Sequence, residues 1–395
     1  MTMTNGPSAP PSTQGGPSYF EVDFDLMPFT LAWEITRACA LNCIHCRAEA
    51  QKKRHPLELT TEEGLGLIDQ IVEMGRPILI ITGGDPLMRK DVYQFVEYAV
   101  GRGLRVALSP SATKLVSKAN LRRVQDAGVH MVHVSLDGSR PEVHDSFRGF
   151  KGSFQRTMEI LTDLKELGIP FQIGTTVSRY NREDLPAIAQ LVENMGVTVW
   201  SVFFLVPTGR GKAADMVSPY QHEEIFSWLY DLSRRAPYHI RTTAAQAYRR
   251  VVIQRTRQAM SLPPSMGSDN VRWELTGAGY AFKEGRAPQE KGVNDGKGFC
   301  FVDHLGNVSP SGFLQISAGN VRTKRLAAIY RDSPLFRQLR DTSLLKGKCG
   351  VCEFRDVCGG SRARAFAVSG DYLAPDPSCP YLPSGSIGGI NASPP

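Results

Sequence analysis

Three cysteines crowd the stretch ITRACALNCIHCRAEA: Cys39, Cys43 and Cys46. The spacing C-x3-C-x2-C is too compact for a zinc finger, which pairs two distant halves. Thiolates this close can hold three corners of a cubane 4Fe–4S cluster, and most such clusters take four. A missing fourth leaves one iron open to an external ligand, which makes the cluster a reaction centre. Spacing alone leaves two plainer readings open, a zinc site or an ordinary cluster completed by Cys300 or a remote histidine.

Four more cysteines lie late in the chain, as Cys349-x2-Cys352-x5-Cys358 with Cys379 after a longer gap. Four thiolates are the full complement for a cluster with no open iron. A zinc ribbon is the alternative. Cys300 stands apart; it is either a half-buried core thiol or a candidate catalytic group acting on substrate. The first 18 residues, MTMTNGPSAPPSTQGGPS, carry neither a basic n-region nor an apolar h-region. A cytoplasmic setting is therefore expected, and disulfides explain the cysteines poorly.

The elements that must position these groups are legible in outline. LAWEIT (31–36), PILIIT (77–82), RVALS (105–109), MVHVSL (131–136), FQIGTTV (171–177) and TVWSVFFL (198–205) read as six strands. Most are apolar on both faces, as a buried parallel sheet requires. Helical patterns lie between them, among them TTEEGLGLIDQIVEMG, which opens with a Thr60–Glu63 capping box and ends at Gly75. Six β–α units predict an α/β fold, and special loops follow nearly every strand: the cysteines, GGDP, SPSAT, DGSRPEVHD and PTGRG. That placement favours a partial (β/α)6 TIM-type barrel with its site at the C-terminal rim, followed by a small, loop-rich C-terminal iron–sulfur domain. FCFVDHLGNVSPSGF predicts a hairpin turning at Leu305-Gly306-Asn307.

The expected boundaries are a disordered tail over 1–18, the barrel over 19–235 and a bridging or substrate region over 236–298. The auxiliary domain follows over 299–382, with a second disordered tail over 383–395. The longest apolar run, VTVWSVFFLVP at 197–207, is too short to cross a membrane. Net charge is +7, with no long Lys/Arg block and no interleaved aromatic platform, so neither nucleic acid nor membrane is expected as a partner.

C-x3-C-x2-C after a first strand, in a chain of six β–α units, resembles the radical S-adenosylmethionine (radical SAM) superfamily. The resemblance implies that the methionyl amino and carboxylate groups chelate the open iron. An electron from the cluster then cleaves the sulfonium, and the 5′-deoxyadenosyl radical takes a hydrogen atom from substrate. His45 fills the place where the family prefers an aromatic ring, against the adenine. GGDP, with Gly83, Gly84, Asp85 and Pro86, matches the family's Gly-Gly-Glu-Pro with Asp for Glu; alone it would be a simple turn. By the same analogy Ser135 and Asp137 face the ribose or carboxylate, and Thr175 to Ser178 close around the adenine. Strand-end capping is the other reading of these residues.

The late cysteines resemble the SPASM extension of this superfamily, whose complete form holds seven cysteines and two auxiliary clusters. Here Ser317 and Arg362 stand where cysteines belong. One auxiliary 4Fe–4S cluster, on Cys349, Cys352, Cys358 and Cys379, is therefore implied, along with a flavodoxin or ferredoxin as electron donor. PSGFLQISAGNVR (310–322) and CGGSRARAFA (358–367) look most like the haem-maturation branch, which modifies tetrapyrrole propionates. Arg249, Arg250, Arg255 and Arg257, or the rim residues Arg148 and Arg210, could pair with such carboxylates. Maturation of a ribosomally made peptide is the competing enzyme reading, and an iron–sulfur electron carrier is the reading from another class.

Overall fold

The computed structural model describes residues 22–259, 272–276, 279–283 and 292–384. The tails expected over 1–18 and most of 383–395 lie outside these described residues. The six expected strands are present as β1 (Thr30–Glu34), β2 (Ile78–Thr82), β3 (Val106–Leu108), β4 (Met131–Ser135), β5 (Phe171–Val177) and β6 (Val199–Phe204). Each pairs in parallel with the next. A helix or helical turn follows each of them, as a right-handed β–α winding requires.

The sheet is wider than six strands. β7 (His239–Thr243) adds in parallel to β6. β8 (Arg272–Thr276) and β9 (Gly279–Lys283) form a separate antiparallel ribbon. β10 (Phe299–Val302) returns to pair in parallel with the outer edge of β1. It then turns into β11 (Asn307–Ser309) and β12 (Gly319–Asn320), so the order runs β12-β11-β10-β1-β2-β3-β4-β5-β6-β7. The hairpin after residue 299 is thus an extension of the main sheet. Its turn is held by Asp303, whose Oδ1 accepts from the amides of Leu305 (2.9 Å) and Asn307 (2.8 Å).

Alternation along each strand divides the two faces. Trp33, Leu79, Ile81, Val132 and Val134 pack outward into the main core under the helices, with Trp33 against Phe95 at 4.9 Å. The in-register set Glu34–Thr82 and Ala32–Ile80–Phe301 points the other way, as do Ser135–Gly174–Ser201 and Thr176–Phe203–Thr243. These residues line the inner face of an open bowl. The helix Thr61–Met74 has both capping-box bonds, from Glu63 N–H to Thr60 and from Thr60 N–H to Glu63 (2.8 Å). Among the described residues no helix is long and apolar enough to cross a membrane.

Candidate functional site

The cysteine loop leaves the C-terminal end of β1 and is gripped by the segments that follow four other strands. From β2, Gly84 N–H donates to the Thr36 carbonyl and Asp85 N–H to the Ala38 carbonyl, each at 2.7 Å. A Cβ on Gly84 would sit 2.6 Å from the carbonyl oxygens of Ala38 and Arg37, so only glycine allows this approach. From β3, Ser111 donates to the Gly84 carbonyl (2.6 Å) and lies 3.5 Å from Cys39 Sγ. From β4, Phe147 accepts from Ile44 N–H (3.1 Å). From β6, Arg210 donates through Nε to the Cys43 carbonyl (2.8 Å) and through its backbone to the Cys46 carbonyl (3.0 Å). Gly209 is at φ 57° with the Cys46 and Arg47 carbonyls against it, closing the space a side chain would need.

Cys39 and Cys43 are buried and Cys46 is half-buried. Burial pushes the Cys39 thiol up, although the Ser111 hydroxyl and the Leu41 amide oppose it. Burial raises Cys43 too, and the Arg148 guanidinium, 3.7 Å from its sulfur, pulls the other way. Arg148 is itself paired with buried Asp137 at 2.6 Å, and the other Asp137 oxygen accepts from Thr176 N–H (2.7 Å). The His45 ring stacks on Phe147 at 4.1 Å. Burial, with Arg148 and Arg210 nearby, holds its pKa well below the usual histidine range, so the ring is neutral.

The remaining sequence-derived candidates divide by geometry. Pro86 opens the helical turn that Asp85 caps, and Asp85 spends one oxygen on Leu87 N–H (3.2 Å) and the other on Thr113 (2.7 Å). Burial raises Asp85 to about 6. Ser135 ends β4 on the inner face. Thr175 and Ser178 are spent on the fold: Thr175, on the core face of β5, donates to the Leu136 carbonyl (2.6 Å) and accepts from Trp200 (2.9 Å), while Ser178 N–H donates to Asn181 (2.9 Å). Cys300, on β10, is fully buried in the main apolar core, and burial pushes its thiol far up.

Cys349, Cys352, Cys358 and Cys379 together line one small pocket, partly open to solvent, with Arg250, Lys348 and Tyr381 at its walls. All eight cysteines are free thiols. Among the described residues no three His, Cys, Asp or Glu side chains are placed to hold a single metal ion. Burial lifts Cys352 to about 11 and Cys358 to about 12. Gly360 N–H reaches Cys358 Sγ at 3.4 Å. Arg362, in a position where a cysteine was expected, is buried beside Cys349 with Nη2 3.9 Å from its sulfur and Nη1 on the carbonyls of Tyr372 and Ala374.

The arginines expected to meet a substrate carboxylate are mostly engaged elsewhere. Arg249 donates to the carbonyls of Val357 (2.9 Å) and Val293 (2.6 Å). Arg250 forks onto Glu223 and lies over Tyr381. Arg255 pairs with Asp231 (2.6 Å). The helix Ala247–Ala259 therefore braces the late cysteines rather than presenting a row of free cations. Sequence reasoning also passed over a buried set at the β1–β10 seam. Glu34 is fully buried and faces Arg37 (2.9 Å), Arg47 (2.8 Å) and His304 (3.1 Å). A lone acidic residue inside the apolar run LAWEIT was the available signal.

A profile of the Radical SAM superfamily matches residues 33–192. Similarity to curated proteins extends much further. The chain is 42% identical over 355 residues to the AdoMet-dependent heme synthase of Oleidesulfovibrio alaskensis, covering 89% of this chain and 87% of that one. The chain belongs to the radical SAM superfamily. Radical SAM enzymes carry a 4Fe–4S cluster and S-adenosylmethionine, so this chain is an enzyme of that cofactor class. It is also 32% identical over 368 residues to the Fe-coproporphyrin III synthase of Methanosarcina barkeri, covering 91% of this chain and 89% of that one. Among solved structures, Streptococcus suis SuiB bound to S-adenosylmethionine aligns with a TM-score of 0.66 at 14% identity. That alignment covers 90% of this chain and 78% of SuiB, and it shows the shared fold.

Proposed function

We propose that this radical SAM enzyme acts on propionate side chains of an iron tetrapyrrole, with Cys39, Cys43 and Cys46 holding the catalytic 4Fe–4S cluster. The observation that carries the reading is the three-cysteine loop itself, fixed at the C-terminal end of β1 by the segments that follow four other strands. When bound, the cluster and S-adenosylmethionine supply a 5′-deoxyadenosyl radical. The tetrapyrrole assignment draws on the printed names of the relatives.

Each residue has a task in this reading. Arg148, oriented by Asp137, fixes Cys43 and balances thiolate charge. Gly83, Gly84, Asp85 and Pro86 set the β2 loop against the cysteine backbone. The Gly84 carbonyl keeps a second lone pair, beyond the Ser111 bond, for the methionyl ammonium. His45, neutral and stacked, gives a flat wall for the adenine, and Ser135 lies on the inner face toward the ribose. Cys349, Cys352, Cys358 and Cys379 are assigned one auxiliary 4Fe–4S cluster, their shared cavity and four free thiols supporting it. An external flavodoxin or ferredoxin would deliver the electron. A reducing cytoplasmic setting is consistent with thiols left free. Cys300, in the core, is assigned no catalytic role.

Incubating anaerobically reconstituted, reduced protein with S-adenosylmethionine should release 5′-deoxyadenosine, and Cys43→Ala should release none. Undiminished release from that variant would end the assignment. Iron content separates the cluster counts: two 4Fe–4S clusters give about eight irons per chain. A value near four removes the auxiliary site, and a value near twelve requires another.

A further inference from the structure

Arginine is the natural partner for a planar carboxylate, because its N–H groups match both oxygens at once. Around the bowl most guanidinium groups are already spent. Arg148 serves Asp137 and Cys43, and Arg210 holds the Cys43 and Ala50 carbonyls through Nε and Nη1, with only its Nη2, which is fully buried, left without a partner among the described residues. Arg89 is buried on Asp91 and on the carbonyls of Ile35 and Leu59. Arg37 and Arg47 differ. Each gives one well-formed side-chain bond to Glu34, from Arg37 Nε to Oε1 and from Arg47 Nη1 to Oε2. Beyond these, Arg37 Nη2 lies 3.5 Å from Gln315 Oε1, the limit of a hydrogen bond. Among the described residues nothing else accepts from the two guanidinium groups, and their side chains keep 25% and 18% exposure.

Their position is set by the sheet. Glu34 is in register with Thr82 on the inner face, and Ala32 with Phe301. Arg47 lies over the Phe301 ring at 4.8 Å, so it faces the bowl from the β1–β10 seam, directly beside Cys46. Gln315 ties the segment 310–322 to the same place, donating to the Arg47 carbonyl (3.3 Å) and the Gly312 carbonyl (2.9 Å).

Charge is not balanced there. One fully buried carboxylate meets two guanidinium groups and an imidazole. The other acids that Arg37 feels are Asp303 and Glu49. Asp303 spends its oxygens on the hairpin turn, and Glu49 is exposed. The two half-buried guanidinium groups share a single carboxylate, Glu34; the surplus positive charge is costly, and an anion arriving from the bowl would balance it.

We propose that Arg37 and Arg47, braced by Glu34, form a carboxylate-binding subsite at the inner rim, which takes a propionate of the substrate. The subsite rests on the tetrapyrrole reading for the identity of its ligand. The methionyl carboxylate of S-adenosylmethionine is the other source of the same chemistry, and the test separates the two.

Reconstituted protein is titrated, by visible absorbance, with iron coproporphyrin III and with its methyl ester, whose carboxylates are capped. The acid should bind about 10-fold or more tighter than the ester. Arg37→Met and Arg47→Lys should each narrow that gap, Arg47→Lys in part because it keeps charge and loses the fork. Equal binding of acid and ester by the unmodified chain overturns the subsite and leaves the tetrapyrrole reading standing. Binding of neither overturns that reading and the subsite with it. If the variants keep the full gap but weaken S-adenosylmethionine binding, the pair serves the methionyl carboxylate and the proposal fails. The acid–ester comparison needs no variant, so a misfolded substitution decides nothing by itself.

Discussion

Glu34 is the residue on which the inner rim turns. Burial pushes its carboxyl up, but Arg47, His304 and Arg37 together outweigh burial and hold it at about 2, against 4.5 for a free glutamate. A carboxylate depressed on folding stabilises the fold above its unfolded pKa and loses that contribution as pH falls toward the folded value. Between pH 7 and pH 3.5 the loss from this one group is about 1.4 kcal/mol. Urea unfolding at the two pH values should therefore show a drop smaller by about that amount in Glu34→Gln. An unchanged drop would mean that the cations do not act on this carboxylate. Gly84 makes the second residue-scale case. Alanine there would drive its Cβ into two backbone carbonyls that cannot turn aside. Gly84→Ala should cost about 1–3 kcal/mol of stability and lower the iron retained on reconstitution; wild-type stability and iron would refute the close-packing account. The cysteines and GGDP were legible because their spacing is local. Glu34, Arg37, Arg47 and His304 were not, because residues 34 and 304 become neighbours only through strand pairing.

The elements teach a similar lesson about distance. Six strands could be read from apolar runs because each buries at least one face in the main core and none has a strongly polar second face. β7 escaped notice because HIRTT carries almost no apolar signal, and its place is set by pairing with β6. The hairpin after residue 299 was visible from its turn residues, but nothing local said that β10 would lie against β1. The helix Ala247–Ala259 looked like a basic surface; in the fold its first turn reaches across to the late cysteines. Arg249 holds two carbonyls from separate segments there, at Val357 and Val293. Arg249→Met should lower stability by about 2–4 kcal/mol, since hydrogen bonds from charged donors contribute about 1.5–3 kcal/mol each. Thermal unfolding that matches wild type would show that these bonds carry no load.

At the scale of the whole molecule, both cysteine sets hang on one continuous sheet. β10 leads from the bowl wall into the hairpin and onward to the late cysteines, so the C-terminal part is joined edge to edge with β1. A chain ending at residue 298 would lose β10, leave the β1 edge unpaired and open the core beside Leu31, where Cys300 packs in the full chain. It should aggregate or fail to unfold cooperatively, as judged by light scattering and denaturant titration. A soluble, cooperatively folding fragment would show the bowl to be self-sufficient. The grip on the first cysteine loop also orders events during synthesis. Arg210, which clasps the Cys43 carbonyl, lies 167 residues further along the chain. At about 5–20 residues per second, ribosomes add that length in about 10–30 s. Throughout that interval the three thiols are without the last of the segments that later enclose them. Iron delivered before the clasp exists would meet a floppy peptide, and delivery after it a finished socket, so the timing of cofactor loading is written into the order of the strands.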